Sequence, residues 1–164
     1  MVKKDSALKH FDDLANKQLA FPSPAAFAAS LLPRAILKQQ NIPFTHKYVS
    51  SHDSVYLNVS KGLFDAGGGV IRTFKNTPAE VRDQLTILWT SQGFTPHAIA
   101  AHPQIDSGTL TKVQVALVAL HGSEQGKKIL QSLKIKHGLI AAESKDWDDV
   151  RQLDVNVLKQ LLKE

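Results

Sequence analysis

Three consecutive residues, Ser51, His52 and Asp53, bring together a hydroxyl, an imidazole and a carboxylate, the groups of a hydrolytic triad. The members of a triad meet through their side chains, whereas neighbours in sequence diverge around a strand end or a helix turn. The chain also contains neither a Gly-x-Ser-x-Gly nucleophile elbow nor a Walker-type phosphate loop. We therefore predict that the chain is not an enzyme.

The same residues suit reversible binding of an anion. Ser50 and Ser51 precede a helix predicted over residues 53–61, and either hydroxyl is a suitable N-cap. The unpaired N–H groups of a helix N-terminus and the helix dipole both favour negative charge, and the imidazole of His52 can donate a hydrogen bond to an oxyanion. An N-cap beside a surface histidine is the alternative, and the residues alone leave it open.

A second helix N-terminus is predicted after a short strand at 18–21. Ser23 is the expected N-cap of a helix over 25–40, with Pro24 in the first helical position and Pro33 kinking or restarting the helix. The first turn, Ala25–Ala29, carries no side-chain donor, and Phe27 makes it bulky and apolar. This composition favours a more apolar ligand, no ligand at all, or an ordinary packed helix start.

Three further candidates lie where strands are predicted to begin or end. Asp65 precedes a strand at 66–71, in which Gly67–Gly69 indicate close approach by a ligand or by another backbone. Tight packing of a helix on the sheet explains these glycines equally well. Thr90 and Ser91 follow a strand predicted over 85–89, and ligands of open α/β sheets lie beyond the carboxyl ends of the strands.

The composition narrows the classes of partner. Lys and Arg number 20 against 15 Asp and Glu, and the net charge of +5 favours contact with anions. The basic residues are scattered, with no basic run interleaved with aromatics, so we predict no nucleic-acid partner. The chain has no cysteine, and His97 and His102 have no set of carboxylates around them, so we predict neither a metal nor another cofactor.

The elements alternate in the first part of the chain and are mostly helical in the second. Strands at 18–21, 44–49 and 66–71 alternate with the two helices, after a short helix over 8–14, which implies a parallel sheet with crossover helices. Later helices are expected from Pro78 and over 110–120, 123–133, 146–153 and 154–162. No apolar leader follows Met1, and no segment is long enough to cross a bilayer.

Several separate strings, in this order and spacing, resemble the phosphate/phosphite/phosphonate-binding proteins of ABC importers. They span about residues 2–153 and are Lys4-Asp5-Ser6 before Asp13-Leu14, Leu19-Ala20-Phe21-Pro22-Ser23-Pro24, Leu32-Pro33-Arg34, Ser51-His52-Asp53, Gly62-Leu63-Phe64-Asp65-Ala66-Gly67, His102-Pro103, and Ala116-Leu117-Val118-Ala119-Leu120-His121 through Gly126.

The resemblance implies a three-layer αβα sandwich of the type II periplasmic-binding-protein kind, in which two α/β lobes close on a ligand. It assigns residues 1–75 to a second-lobe-like unit and 76–164 to the mostly helical returning part of the first lobe, so the first lobe is expected to be incomplete. It also implies that His52 faces the ligand and that Asp65 and Gly67–Gly69 border the cleft, whereas Ala25–Ala29 depart from the small hydroxyl residues and Gly typical of the family.

The function expected from this resemblance is that of a solute-binding component of an ABC importer. It would bind a small phosphate- or phosphonate-like anion, act with an ABC permease and reside in the periplasm. A homo-oligomer could complete the missing lobe. The alternative, favoured by the apolar first turn, is a non-transporting sensor or interaction domain of the same fold that has lost its ligand. Ser23, Ser51 and His52 are the leading ligand-binding candidates, followed by Asp65, Thr90 and Ser91.

Overall fold

A computed structural model describes residues 1–153 and 155–163. The chain divides into two compact units: Met1–Gly93 with the described residues after Gln152, and Phe94–Gln152. The assignment of residues 1–75 and 76–164 to different lobes stays a prediction.

The first unit contains a five-stranded sheet with helices around it. Its strands are β1 (Val2–Lys3), β2 (Lys17–Phe21), β3 (Phe44–Tyr48), β4 (Ala66–Gly67) and β5 (Leu85–Thr86). Its α-helices are α1 (Leu32–Gln39), α2 (His52–Ser60), α3 (Ile71–Lys75), α4 (Ala79–Arg82) and α8 (Val155–Leu161), and it also has a 3₁₀ helix (Phe11–Leu14) and a π-helical turn (Phe27–Leu31).

The sheet order is β3-β2-β4-β1-β5, with β2 parallel to both β3 and β4. The predicted alternation of parallel strands and helices is therefore confirmed for β2, α1, β3, α2 and β4. The strand β1 is antiparallel to β4 and β5, which makes the sheet mixed.

The core lies on both faces of this sheet because side chains alternate along β2. Leu19 and Phe21 pack on one face with Leu37 of α1. Ala20 packs on the other face with Val55 and Tyr56 of α2. The helices α1 and α2 thus cover opposite faces, as expected for a three-layer αβα arrangement.

The start of the helix after β2 differs from the prediction. Residues 22–25 form a bend and a turn instead of a helix, and the N-cap of the π-helical turn is Ala26, so Ser23 is not a cap and Pro24 is not in the first helical position. Two prolines in this turn remove N–H donors, and the Ser23 carbonyl accepts a long hydrogen bond, of 3.4 Å, from the Ala26 N–H. Pro33 restarts the helix as predicted, because α1 begins at Leu32.

Two other predicted elements are shorter than expected. The helix over 8–14 is reduced to the 3₁₀ turn Phe11–Leu14, since the Asp13 carboxylate accepts hydrogen bonds from the N–H groups of Lys9 and His10 and holds them outside a helix. These backbone bonds also lower the pKa of Asp13. The strand β5 ends at Thr86 rather than at residue 89. The Trp89 ring instead packs against the Phe11 ring, with 4.8 Å between the ring centres.

The strand β4 is also shorter than the predicted 66–71, because residues from Ile71 onwards form α3. The Tyr56 hydroxyl hydrogen-bonds Val70 and Thr73, with 2.6 Å to the Thr73 Oγ1 atom. These bonds join α2 to the start of α3 and draw the chain out of the sheet after Gly67.

The second unit is helical, with α5 (Ser107–Ala119), α6 (Glu124–Ser132), α7 (Asp148–Arg151) and 3₁₀ turns at Leu120–Gly122 and Ser144–Trp147. Ser123 caps α6 as predicted, accepting the Gly126 N–H at 3.0 Å. The apolar stripe of α5 is exposed, with Leu110 at 44% and Val113 at 50% of full accessibility. The predicted helix over 146–153 is shorter, as α7, and the expected start of the last helix at Asp154 lies outside the described residues.

Replacing Gly62 with alanine should destabilise the protein by about 1 kcal/mol, because Gly62 has a φ of 72° just after the C-cap of α2. Chemical denaturation measures the change. Gly62→Asn is the control, since asparagine adopts this conformation more readily than alanine and should restore part of the loss. Equal stability of all three proteins would contradict the prediction.

Candidate ligand-binding site

The carboxyl ends of β2, β3 and β4 meet at one edge of the sheet. The Val49 N–H after β3 donates to the Phe21 carbonyl at 2.9 Å, and the Gly68 N–H after β4 donates to the Ala20 carbonyl at 3.0 Å. The chain leaves β2 towards α1 on one face and β3 towards α2 on the other. Such a divergence of neighbouring connections opens a crevice in α/β sheets, and ligands bind there.

The N-terminus of α2 is capped as the sequence predicts. Ser51 has extended backbone and its Oγ atom accepts the Ser54 N–H at 3.0 Å. The helix runs over His52–Ser60, one residue earlier at each end than the predicted 53–61. The Ser51 hydroxyl donates to the Ser54 Oγ atom at 3.0 Å, so its proton is engaged within the cap.

This arrangement makes Ser54 a candidate that the sequence analysis missed. Its oxygen accepts a hydrogen bond from the Ser51 hydroxyl, and its own O–H is left to donate, so the pair could relay a hydrogen bond to an anion at the helix end. The signal was available, because a residue three positions after an N-cap serine lies in the same first turn.

The turn between β3 and α2 is tight. The Ser51 N–H donates to the Val49 carbonyl at 3.0 Å, and the intervening Ser50 has a φ of 71°, in the left-handed region. A non-glycine residue at the centre of such a three-residue turn is strained. The turn lets α2 begin directly at the carboxyl end of β3, which brings its N–H groups to the edge of the sheet.

His52 is partly buried at this edge, and its Nδ1 atom is buried without a hydrogen-bond partner among the described residues. Its ring lies 6.4 Å from that of Tyr56, which is itself fully buried in the core. Buried side-chain nitrogens are usually paired. His52 therefore offers a ring nitrogen for a ligand beside the capped N-terminus of α2.

The wall formed by the start of α1 is mostly apolar. Ala26, the N-cap of the π-helical turn, makes no side-chain hydrogen bond, and Ala25 and Ala28 are exposed. Ser23 is partly buried in the turn that follows β2, at the same edge of the sheet as Ser51 and His52. The structure thus brings these three candidates to one edge, although Ser23 is not a helix cap.

Asp65 lies at the amino ends of the parallel strands, opposite to the carboxyl ends at which Ser51 and His52 lie. It precedes β4, and its carboxylate accepts the N–H of Gln18, the second residue of β2, at 2.8 Å. The Gln18 carbonyl in turn accepts the Asp65 N–H at 3.0 Å. Asp65 therefore joins the starts of two parallel strands and is not brought together with Ser51 and His52.

The three glycines after Asp65 are in tight contact with the rest of the first unit. A Cβ atom on Gly67 would lie 2.4 Å from Val55, one on Gly68 would lie 1.8 Å from the Ala29 carbonyl oxygen, and one on Gly69 would lie 2.7 Å from Tyr56. Of the explanations left open by the sequence, close packing against backbone and helix side chains accounts for all three positions.

Thr90 and Ser91 follow β5, which runs in the same direction as β4 because both are antiparallel to β1. However, β1 separates β5 from β4 in the sheet, and Thr90 is exposed. The Ser91 hydroxyl donates to the Gln92 carbonyl at 2.9 Å. Within the described residues, this pair makes no contact that brings it together with Ser51 and His52, and its role in binding stays a prediction.

A buried arginine, Arg34, lies next to the last residue of β3. Arg34 of α1 is completely buried, with its guanidinium 5.5 Å from the ring centre of Tyr48, the last residue of β3. Its Nη2 atom donates to the Leu161 carbonyl at 3.0 Å. Arg34 therefore joins α1 to β3 and α8.

Within the described ranges, no group of three or more metal-binding side chains occurs. No helix of those ranges is long and apolar enough to span a membrane.

Comparison with known families gives a match over most of the chain. Residues 1–147 match the family described as "ABC transporter, phosphonate, periplasmic substrate-binding protein". None of the curated protein sequences compared matches the chain.

Solved structures share the fold. XAC2383 from Xanthomonas citri bound to chloride ion superposes with a TM-score of 0.80 and 15% sequence identity. The superposition covers 99% of this chain and 64% of the XAC2383 chain. The same protein bound to ATP has a TM-score of 0.80 and 14% identity, with coverage of 99% and 65%. PhnD1 from Prochlorococcus marinus (MIT 9301) in complex with methylphosphonate has a TM-score of 0.74 and 21% identity, with coverage of 99% and 63%.

These matches confirm the predicted α/β fold of the periplasmic-binding-protein kind. The chain spans less than two thirds of the length of each of these three structures.

Proposed function

The chain belongs to the family of periplasmic substrate-binding proteins of phosphonate ABC transporters, and on this premise we propose that it binds a small phosphonate- or phosphate-like anion at the carboxyl edge of its sheet. Proteins of this family bind substrates and are not enzymes, in agreement with the prediction from the sequence. The observation that carries the proposal is the capped N-terminus of α2, beside which the Nδ1 atom of His52 is buried without a partner among the described residues.

The chemistry of this edge suits a compact oxyanion. The first N–H groups of α2 point out of the helix end, where the dipole favours negative charge. The hydroxyl pair of Ser51 and Ser54 and the ring of His52 add side-chain groups that can donate to oxygen.

The ligands of the related structures support an anion. PhnD1 is in complex with methylphosphonate, and XAC2383 is bound to chloride ion in one structure and ATP in another. All three are anions, and two of them carry phosphorus oxyanions. For this chain we propose the phosphorus oxyanion class, because the edge offers several hydrogen-bond donors to one centre.

The remaining parts of the proposal follow from the family. An ABC permease would receive the ligand-bound protein, and the site of action would be the periplasm. The family assignment does not favour the alternative of a sensor or interaction domain that has lost its ligand. The formation of a homo-oligomer that completes the first lobe stays a prediction.

Replacing His52 with alanine should weaken binding of methylphosphonate or inorganic phosphate by about 10-fold or more, because a hydrogen bond to a charged group is lost. Ser51→Ala should weaken binding too, and it should cost about 1 kcal/mol of stability through the lost cap. Isothermal titration calorimetry and thermal unfolding measure the two effects.

Ser123→Ala is the matched control, since Ser123 caps α6 of the second unit by the same hydrogen bond, at 3.0 Å to Gly126. It should lower stability like Ser51→Ala and leave binding unchanged. Wild-type protein that is folded and binds neither anion would refute the proposed function. Unchanged affinity in His52→Ala would refute this location of the site.

A further inference from the structure

Four polar or charged residues are buried in the described part of the chain, and one of them has a side-chain hydroxyl without a hydrogen-bond partner. Ser60 donates to the Leu57 carbonyl at 2.9 Å, Thr77 to the Thr73 carbonyl at 3.2 Å, and Arg34 to the Leu161 carbonyl at 3.0 Å. Ser30 is completely buried, and its Oγ atom has no partner among the described residues. A buried hydroxyl without a partner costs free energy, so such an atom calls for an explanation.

Ser30 lies in the unusual turn that precedes α1. Its N–H donates to the Ala26 carbonyl at 2.7 Å, and the Leu31 N–H donates to the same oxygen at 3.0 Å. The turn Phe27–Leu31 is π-helical, a rare conformation that occurs frequently at functional sites. The wide turn is therefore a second feature, independent of the hydroxyl, that points to a functional role of this segment.

The turn also lies at the edge of the sheet described above. The carbonyl of Ala29, the residue before Ser30, packs directly against Gly68 at the end of β4. The side chains of Ala25–Ala29 contain no hydrogen-bond donor, so Ser30 is the first residue of this segment with a hydroxyl to offer.

We propose that the Ser30 hydroxyl donates a hydrogen bond to the bound anion, from the α1 wall of the site. The proposal rests on the proposed function and adds a ligand contact that the sequence did not suggest. Ser30 is completely buried in this conformation, so the contact requires the residues that cover its hydroxyl to move when the ligand binds.

The first test compares Ser30→Ala with Ser60→Ala by thermal unfolding without ligand. Both replace a buried serine, but only Ser60 loses a hydrogen bond seen in the free protein. We expect an unchanged or higher Tm for Ser30→Ala and a Tm lower by about 2–4 °C for Ser60→Ala. A Tm of Ser30→Ala as low as that of Ser60→Ala would show that the hydroxyl is already satisfied in the free protein, which would overturn the proposal.

The second test measures the affinities of the same proteins for methylphosphonate and inorganic phosphate by calorimetry. Ser30→Ala should bind about 10-fold to 100-fold more weakly than wild type, and Ser60→Ala should bind equally well. If wild type and His52→Ala differ but Ser30→Ala binds like wild type, the proposed function stands and the role of Ser30 is refuted. If wild type binds neither anion, the proposed function fails and the role of Ser30 fails with it.

Discussion

Replacing Gly68 with alanine should destabilise the protein by about 3 kcal/mol or more, because there is no space for a side chain at this position. A Cβ atom on Gly68 would lie 1.8 Å from the Ala29 carbonyl oxygen and 2.7 Å from the Phe21 ring. The Phe21 ring could move slightly, but the Ala29 oxygen belongs to the backbone of the turn before α1. Either β4 or that turn would have to shift. Urea denaturation of the purified variant measures the loss.

Gly93→Ala is the control for this prediction. A Cβ atom on Gly93 would meet nothing within 4 Å, so the free energy of unfolding of the Gly93→Ala protein should stay within about 0.5 kcal/mol of wild type. If Gly68→Ala is too unstable to purify, the soluble yield of the two variants expressed in parallel gives the comparison. Equal stability or equal yield of both variants would show that the contact between Gly68 and Ala29 is not a constraint on the fold.

Replacing Arg34 with alanine should destabilise the protein by about 3 kcal/mol, through a cavity and the loss of a buried hydrogen bond. The completely buried side chain packs over Tyr48 of β3 and donates to the Leu161 carbonyl of α8, so it joins α1 to two other elements of the first unit. Leu161 is also completely buried, in a cluster with Leu31 and Ala35. Chemical denaturation measures the change.

Arg34→Met separates the two causes. Methionine fills much of the same volume without a donor, so it should recover most of the packing but not the hydrogen bond, and should lie between wild type and Arg34→Ala. Arg34→Lys keeps the charge but not the planar guanidinium that lies over the Tyr48 ring, and should also be intermediate. An Arg34→Ala protein as stable as wild type would contradict this account of the buried arginine.

The two residues support the same part of the molecule. Gly68 allows the turn before α1 to approach the end of β4, and Arg34 holds α1 against β3 and α8. We therefore expect conservative variants at either position, where they fold, to weaken anion binding through displacement of the α1 wall rather than through a lost ligand contact.

Features that depend on a few neighbouring residues were predictable from the sequence. The Ser51 cap of α2 and the Ser123 cap of α6 each join residues only three positions apart. The end of α2 before Gly62 is predictable because glycine adopts a positive φ easily, as Gly62 does. The alternation of β2, α1, β3, α2 and β4 follows from runs of apolar residues separated by turn residues. The prediction of His52 as a candidate rested on its place beside the cap and on the family resemblance.

Features that depend on residues distant in sequence were decided only by the tertiary structure. Asp65 accepts a hydrogen bond from a residue 47 positions away, which places it at the edge opposite to Ser51. Arg34 is paired with a carbonyl 127 positions away. Ser23 does not cap a helix because the turn after β2 continues to Ala26. Nothing in the local sequence distinguishes Ser30, whose buried hydroxyl has no partner among the described residues, from a solvated serine.

The physical reason is the range of the interactions. Caps, turns and the period of apolar residues act within one or two turns of the chain, so the sequence by itself determined the alternation of β2, α1, β3, α2 and β4, the α2 cap and the class of fold. Burial and close approach act between elements that meet only after folding. The tertiary structure therefore decided which candidates share an edge, why Gly67–Gly69 have no side chains, and where a hydroxyl is left without a partner among the described residues.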